Sequence, residues 1–517
     1  MKRRLFSLIL AISMLFSIMS SAEAARLPEN GSDLRGMVVI LHTNDIHGRI
    51  SRGDGLAGFS SVSALKKAFT DAGAYVLLVD AGDVLHGLPA ATINKGADVV
   101  RIMNAVGYDL MTPGNHDFNY GTERLVELSK LMNFPVISAN VISKETGKTI
   151  FDAYAIVKKG GITFGFFGLS TPETAYKTNP KNVKTVVFKN PVEYAAKQVS
   201  ELKKKNVDYI VALTHLGVDA ASEYTSDKIA AKVRGIDLII DGHSHTLMVG
   251  GKPVDESIIL TEHGDTLIVS SGEYIKNIGV VIISADGEIS SGFIPYSEDI
   301  PSDAGIDELV AAISMLSDVT LSEVIGTTAV KLSGEREYSR RQETNLGNLA
   351  ADAIRAATDA DVAFTNGGGI RASIEAGDIT KKDLVTVFPF GNYVVTKRVT
   401  GKALLAAMEH GVKDYPDLSG GFPQVSGITF QIDASKPAGS RIGGAMVGGK
   451  DLDPNSFYLL ATNDFLAGGG DDYTMLDEFG IVNEYASLEE ILITFIQAHP
   501  DLAPEVEGRI TVINASS

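Results

Sequence analysis

The 517-residue chain contains no cysteine. That absence excludes disulfides, thiolate zinc sites, a cysteine nucleophile and a lipid-modified N-terminal cysteine. Any metal must use His, Asp, Glu, Asn or backbone oxygen. Positive charge is also short: 46 Lys and Arg face 64 Asp and Glu, a formal net charge of −18. Such a chain lacks the basic face of a binder of nucleic-acid polymers, although a local basic cluster can still hold a small anion. Beyond the N-terminus no apolar run is long enough to read as a membrane span. What remains is ordinary. A 44% hydrophobic and 21% charged composition fits a globular chain, and the length fits roughly three domains or two large ones.

The first 24 residues read as an address. Lys2, Arg3 and Arg4 precede an apolar run from Leu5 to Met19, then small residues and Ala22-Glu23-Ala24. Basic start, apolar middle and an A-x-A end are the parts of a secretory signal peptide. The run is shorter than the ~20 residues a membrane anchor needs. Cleavage after Ala24 removes three basic residues and one acid, so the charge becomes −18 − 2 = −20. The expectation is a soluble, exported protein in the periplasm, outside the cell or at its surface, with no membrane anchor after cleavage.

Two regions follow. From Met37 to about 300, short β-branched runs alternate with helical stretches; the clearest runs are Val38–Leu41, Tyr75–Val79, Ile162–Phe167, Tyr209–Leu213 and Ile236–Ile240. Such runs suit strands buried on both faces, and Val192–Lys205 has helical spacing between two of them. Pro295–Asp303 is polar and reads as a boundary. A linking helix is expected over 301–325, with Ile306, Leu309, Val310, Ile313 and Leu316 on one stripe. A second mixed α/β region covers 326–514.

Five motifs each sit just past an apolar run: Asn44-Asp45-Ile46-His47-Gly48, Gly82-Asp83, Gly114-Asn115-His116-Asp117, Thr214-His215 and Gly242-His243-Ser244-His245. In an open α/β sheet, ligands bind beyond the carboxyl ends of the strands, where such loops converge. On an extended segment, residues two apart share a side, so Asp45 and His47, or His243 and His245, can face one ion. Carboxylates mixed with imidazoles suit zinc, manganese, cobalt or iron better than calcium. Singly, each motif is more often a turn or a capped strand end. Together they hold five of the ten histidines. The others, His42, His86, His263, His410 and His499, lack that context and read as structural or surface residues, His86 lying close to Asp83.

The ordered set D-x-H, G-D, G-N-H-[DE], H and G-H-x-H resembles the calcineurin-like metallophosphoesterases. The resemblance implies a four-layer α/β/β/α domain and two divalent metal ions. Asp45, His47, Asp83 and His245 would hold one ion; Asp83 would bridge to the other, held also by Asn115, His215 and His243. Two cations about 3.5–4 Å apart activate a water as nucleophile and neutralise phosphoryl oxygens, so no serine or cysteine nucleophile is needed. His116 would act as a cation on the phosphate or the leaving oxygen. The family orients this His with an Asp three residues later; here the position is Asn119, which cannot hold imidazolium charge as well.

In the second region, Gln342–Leu349 (QETNLGNL), Asn366–Arg371 (NGGGIR), Pro389-Phe390-Gly391-Asn392 and Asn463–Leu466 with Gly469-Gly470-Asp471 resemble the C-terminal domain of the 5′-nucleotidases, a family that includes periplasmic UDP-sugar hydrolase and animal ecto-5′-nucleotidase. The whole is then α/β, or α+β overall, with a helix joining the metallophosphoesterase domain to a smaller mixed α/β nucleotide-binding domain. The resemblance implies that Phe390 and Phe465 stack on the base, a contact worth about 1–3 kcal/mol per face. Arg336, Arg340 and Arg371, with Asn366, Asn392 and Asp471, would bind the rest of the nucleotide. Gly367-x-Gly369-x-x-Ala372 also fits a dinucleotide fingerprint, but Gly377 interrupts the helix that should follow, and no acid closes a strand at Val385–Phe388. The reading is an exported 5′-nucleotidase using a metal-activated water. Alternatives are a 2′,3′-cyclic nucleotide phosphodiesterase with 3′-nucleotidase activity, a UDP-sugar diphosphatase, or a non-catalytic nucleotide-binding protein.

Overall fold

The structure is a computed structural model that describes residues 33–514 apart from 179, 221 and 263. The expected signal segment and His263 lie outside the described residues. The chain divides into two compact units. The first runs to Ala175 and resumes over Pro180–Met315; the second takes 176–179 and everything from Leu316.

The first unit is built on two sheets. One is five-stranded, in the order Ile289–Pro295, Asn277–Ile283, Val38–Thr43, Tyr75–Asp80, Leu110–Met111, the last three mutually parallel. The other is seven-stranded and has a parallel centre of Ile162–Ser170, Tyr209–His215, Leu238–Ile240 and Leu267–Ser271. Alternation along each strand assigns the layers, because successive side chains point to opposite faces. Val38, Ile40, Leu77 and Val79 of the first sheet meet Phe164, Phe166, Val211 and Leu213 of the second in one buried cluster. The opposite residues, Val39, Leu41, Val76 and Leu78, face Phe59, Leu65 and Met103 on helices Gly58–Asp71 and Ala97–Val106. Phe167, Leu169 and Ala212 face helices Pro191–Lys204 and Ser226–Lys232. Helix, sheet, sheet, helix is the four-layer order that the resemblance implied.

The second unit centres on a mixed five-stranded sheet, in the order Pro423–Ser426, Val362–Asn366, Phe457–Asn463, Tyr393–Thr400, Ile481–Ser487. One face packs on helices Asn345–Thr358 and Leu488–Ala498, the other on Gly401–Gly411. Thr344 caps the first of these helices, its Oγ1 accepting from Gly347 N at 3.0 Å. That is the local reason for the Glu-Thr-Asn-Leu-Gly-Asn run: a helix start with a small residue in its first turn.

Three local expectations change. The joining helix is Ala304–Leu321, and Val324–Thr328 is a strand, since β-branched residues after the helix pair with Gly377–Thr380. Ile306, Val310 and Ile313 are buried against the first unit's core, but Leu316 is 57% exposed, so the apolar stripe ends one turn earlier. Val385–Phe388 is no strand: helix Lys381–Val387 covers most of it, started by a capping box between Thr380 and Asp383.

The contact between the sheets sets the stability of the first unit. Phe166 is fully buried there. Phe166→Ala is expected to cost about 3–5 kcal/mol, visible as an earlier first transition in urea unfolding followed by circular dichroism.

Candidate metal centre

Every motif of the first unit leaves the carboxyl end of a parallel strand, the edge strand Leu110–Met111 included. Asp45 and His47 follow Val38–Thr43, Asp83 follows Tyr75–Asp80, Asn115 and His116 follow Leu110–Met111, and His243 and His245 follow Leu238–Ile240; His215 ends its own strand. The two sheets thus aim their loops at one place. Extended alternation is not what turns paired ligands the same way. Asp45 and His47 have φ of 51° and 49°, Asp83 has 59°, and His243 and His245 have 85° and 55°. Five non-glycine residues in the left-handed region within one site are uncommon, and such backbone persists only where surrounding bonds hold it. Those bonds are visible. Asp45 N donates to Gly82 O and His47 N to Asp83 O, both at 2.9 Å, and His243 N donates to Asp45 Oδ2 at 3.0 Å. Asp117 accepts the backbone N–H groups of Asp83, Leu85 and Gly114 at 2.8–2.9 Å, joining two of the loops. At Gly114 an added Cβ would lie 2.1 Å from Asp83 Oδ1, so only glycine lets the loops approach.

The side chains form three overlapping groups with ligand atoms within 4.8 Å of one another: Asp45, His47 and His245; His47, Asp83 and His116; and Asp83, His215 and His243. Asp83 shares two of them. Its Oδ2 lies 3.1 Å from His215 Nε2 and 3.9 Å from His47 Nε2, while Oδ1 accepts from His116 N at 2.8 Å. His245 Nε2 lies 3.3 Å from His47 Nε2 and 3.5 Å from Asp45 Oδ1. Asn115 is buried immediately before His116. Of the predicted ligands, the six Asp and His residues are therefore brought together, and Asn115 sits in the adjoining turn.

Outer partners fix the rings. His215 Nδ1 donates to Ala81 O at 2.6 Å, which leaves Nε2 for the carboxylates. Glu273 Oε2 holds His245 Nδ1 at 2.7 Å, and Glu173 Oε2 holds His243 Nε2 at 3.1 Å. Such carboxylate–histidine pairs set the tautomer of a metal ligand. Asp241 does the same for a strand end, accepting from Thr214 Oγ1 at 2.8 Å and Leu216 N at 3.1 Å. Sequence reading missed Glu173, Glu273 and Asp241, and it also passed over His86, whose ring stacks 6.3 Å from His116.

Charge decides whether cations fit. Burial alone would neutralise Asp45 and Asp83, yet the neighbouring histidines hold Asp45 at about 2 and Asp83 well below the carboxylate range. Burial likewise opposes a charge on His215 and His245, but Asp83 and Asp45 overcome it and raise each ring to about 10. His47, with burial dominant, falls to about 4. The cluster therefore draws about two positive charges into a buried place, using oxygen and imidazole donors, and divalent cations suit that demand. His116 corrects an expectation. Burial presses it well below the imidazole range, so the ring is neutral, and Asn119 Nδ2 lies 3.2 Å from its Nδ1.

The second unit gathers the other predicted residues. Phe390 and Phe465 are 51% and 45% exposed, which excludes a core role. The Arg371 guanidinium stands 5.5 Å from the Phe390 ring centre. Asn366 Nδ2 donates to Asp471 Oδ2 at 2.9 Å, and Asn392 O accepts from Leu488 N at 2.9 Å. Burial and the charges of Arg336 and Arg371 lower the pKa of Arg340, with Asp471 opposing, so these three groups surround Arg340 within electrostatic reach. Arg340 Nε is buried without a hydrogen-bond partner among the described residues.

Comparison with known proteins agrees with this layout. Residues 38–247 match the calcineurin-like phosphoesterase family and residues 324–478 the 5′-nucleotidase C-terminal domain. The 5′-nucleotidase of Vibrio parahaemolyticus is 31% identical over 91% of this chain and 91% of its own length. The chain belongs to the 5′-nucleotidase family. It is accordingly a metal-dependent phosphoester hydrolase. The trifunctional nucleotide phosphoesterase YfkN of Bacillus subtilis is 31% identical over 92% of this chain, which spans only 35% of that longer protein. The crystal structure of the 5′-nucleotidase precursor from Thermus thermophilus superposes with a TM-score of 0.56 at 32% identity, covering 93% of this chain and all of that one.

Coordination through Nε2 would require bare nitrogens, so metal binding there would displace the protons that Asp83 and Asp45 favour on His215 and His245. Loading the metal-free protein with Zn²⁺ at about pH 7.5 is expected to release about two protons per chain, measured with a pH indicator in weak buffer. His47 and His116, already neutral there, contribute none. Release near zero would contradict this charge assignment.

Proposed function

We propose that this chain is an exported hydrolase that removes the 5′-phosphate from nucleotides at a site holding two divalent cations, of zinc, manganese, cobalt or iron. The observation that carries the reading is the placement of Asp83 Oδ2 between His215 Nε2 and His47 Nε2, with Asp83 belonging to two ligand groups. Asp45, His47, Asp83 and His245 would hold one ion, and Asp83, Asn115, His215 and His243 the other. Two such ions lower the pKa of a coordinated water and neutralise phosphoryl charge.

The protein's own groups do the rest. With Asn119 donating to Nδ1, His116 keeps its proton on Nε2 and offers a neutral N–H to a phosphoryl oxygen or to the leaving oxygen. Glu273 and Glu173 hold His245 and His243 in orientation. Phe390 and Phe465 stack on the base, while Arg336, Arg340, Arg371, Asn366, Asn392 and Asp471 bind the remainder of the nucleotide. The export signal supports a periplasmic or extracellular address. The name of the Bacillus relative, a trifunctional nucleotide phosphoesterase, supports breadth among nucleotide phosphoesters, so the substrate panel should include cyclic nucleotides and UDP-glucose.

Three measurements test this. Asp83→Ala is expected to abolish phosphate release from AMP and to lower bound metal; near-normal turnover in a metal-loaded variant would sink the two-ion reading. Asn119→Asp places a carboxylate beside His116 and favours its protonated form. The apparent pKa of His116 in the pH–kcat/KM profile should then move upward with activity kept within about tenfold. Phe465→Ala should lower the ratio of kcat/KM for AMP to that for p-nitrophenyl phosphate by about tenfold, near 1.4 kcal/mol, the value of one stacking face. A ratio unchanged within about twofold would refute the clamp.

A further inference from the structure

Behind the Phe390 loop, the second unit encloses a cavity of about 10 Å³ lined by Thr365, Gly369, Phe390, Asn392, Asn463 and Glu489 among others. That volume accommodates one water-sized group and no more. The backbone bond from Leu488 N to Asn392 O ties the start of helix Leu488–Ala498 to the loop that carries Phe390, and so sets Glu489 beside it. Asn463 is fully engaged: its Nδ2 donates to Thr365 Oγ1 and Asn366 Oδ1, and its Oδ1 accepts from Leu466 N. Glu489 is different. The residue is 8% exposed, and Oε2 is buried with no hydrogen-bond partner among the described residues.

A buried polar atom left without a partner is costly, and a small cavity at its side suggests where the partner belongs. Burial pushes the Glu489 carboxyl up to about 8, the Glu490 and Asp464 carboxylates adding to it, while Ser487 and the backbone oppose. Oε2 itself accepts no bond among the described residues. Carrying the proton that burial favours, this oxygen is a donor without an acceptor.

We propose that Glu489 binds the nucleobase, its Oε2–H donating to an acceptor on the base edge, a ring nitrogen or a carbonyl oxygen that enters this cavity. The inference rests on the nucleotide reading above. It gives the exposed aromatic platform an in-plane contact, which stacking alone lacks.

The test compares wild type, Glu489→Leu and Glu489→Gln on AMP and p-nitrophenyl phosphate. Glu489→Leu should raise KM for AMP about tenfold without a matching change in kcat or in turnover of the base-free substrate. Glu489→Gln keeps an N–H donor and should restore KM for AMP to within about threefold of wild type. In wild type, KM for AMP should also climb above about pH 8, where the donor is lost, and the Gln variant should show no such climb. An unchanged KM in Glu489→Leu, equal loss on both substrates, or the same alkaline climb in Glu489→Gln would overturn the proposal while leaving nucleotide hydrolysis standing. A wild type that cleaves p-nitrophenyl phosphate but not AMP would overturn the nucleotide reading itself.

Discussion

Two buried carboxylates, Asp45 and Asp83, impose the constraint on which the first unit depends. A carboxylate out of water is unfavourable unless positive charge or hydrogen-bond donors meet it. Here backbone N–H groups meet part of each one, His116 N at Asp83 and His243 N at Asp45. The remaining demand falls on His215 and His245, whose pKa values Asp83 and Asp45 raise against the effect of burial. Loop path, glycine placement and outer carboxylates all serve to hold this charge arrangement in place.

The second unit solves a different problem. It leaves two phenylalanines half in solvent and sets Arg336 and Arg371 within electrostatic reach of Arg340, with Asp471 opposing them. Both choices oppose folding, since apolar surface stays wet and like charges crowd. Groups arranged against stability at one place are a mark of a binding surface. The fold supports them at the carboxyl ends of the parallel strands Val362–Asn366 and Phe457–Asn463, a repetition within a separate sheet of the rule that places the Asp and His cluster of the first unit.

The Asp and His cluster was legible because its signals are local: each motif pairs an Asp or His with the turn residues that release it from a strand. The four-layer order was legible through resemblance and then through alternation in strands such as Ile162–Ser170. What stayed hidden acts across long sequence separations. Glu273 reaches His245 from a later loop, Glu173 reaches His243 across 70 positions, and neither carries a spacing that marks it. Asp117 stood within a quoted motif, but its task is to accept backbone groups from another loop, which no periodicity encodes. The joining helix was read too long because Val324 and Ile325 extend its apolar pattern, whereas pairing with another strand claims them. The left-handed backbone at these residues defeated a two-residue alternation argument, although the side chains it paired do come together.

Those left-handed residues have a consequence for how the centre tolerates change. Asp45, His47, Asp83, His243 and His245 each meet two demands at once, a polar side chain turned into the cluster and a backbone conformation that β-branched side chains resist. A replacement at any of them has to satisfy both. A side chain of matching chemistry still strains the turn if it disfavours positive φ, and a glycine that relaxes the turn gives up the polar atom. Few residue types pass both tests, which leaves these five positions little room to vary.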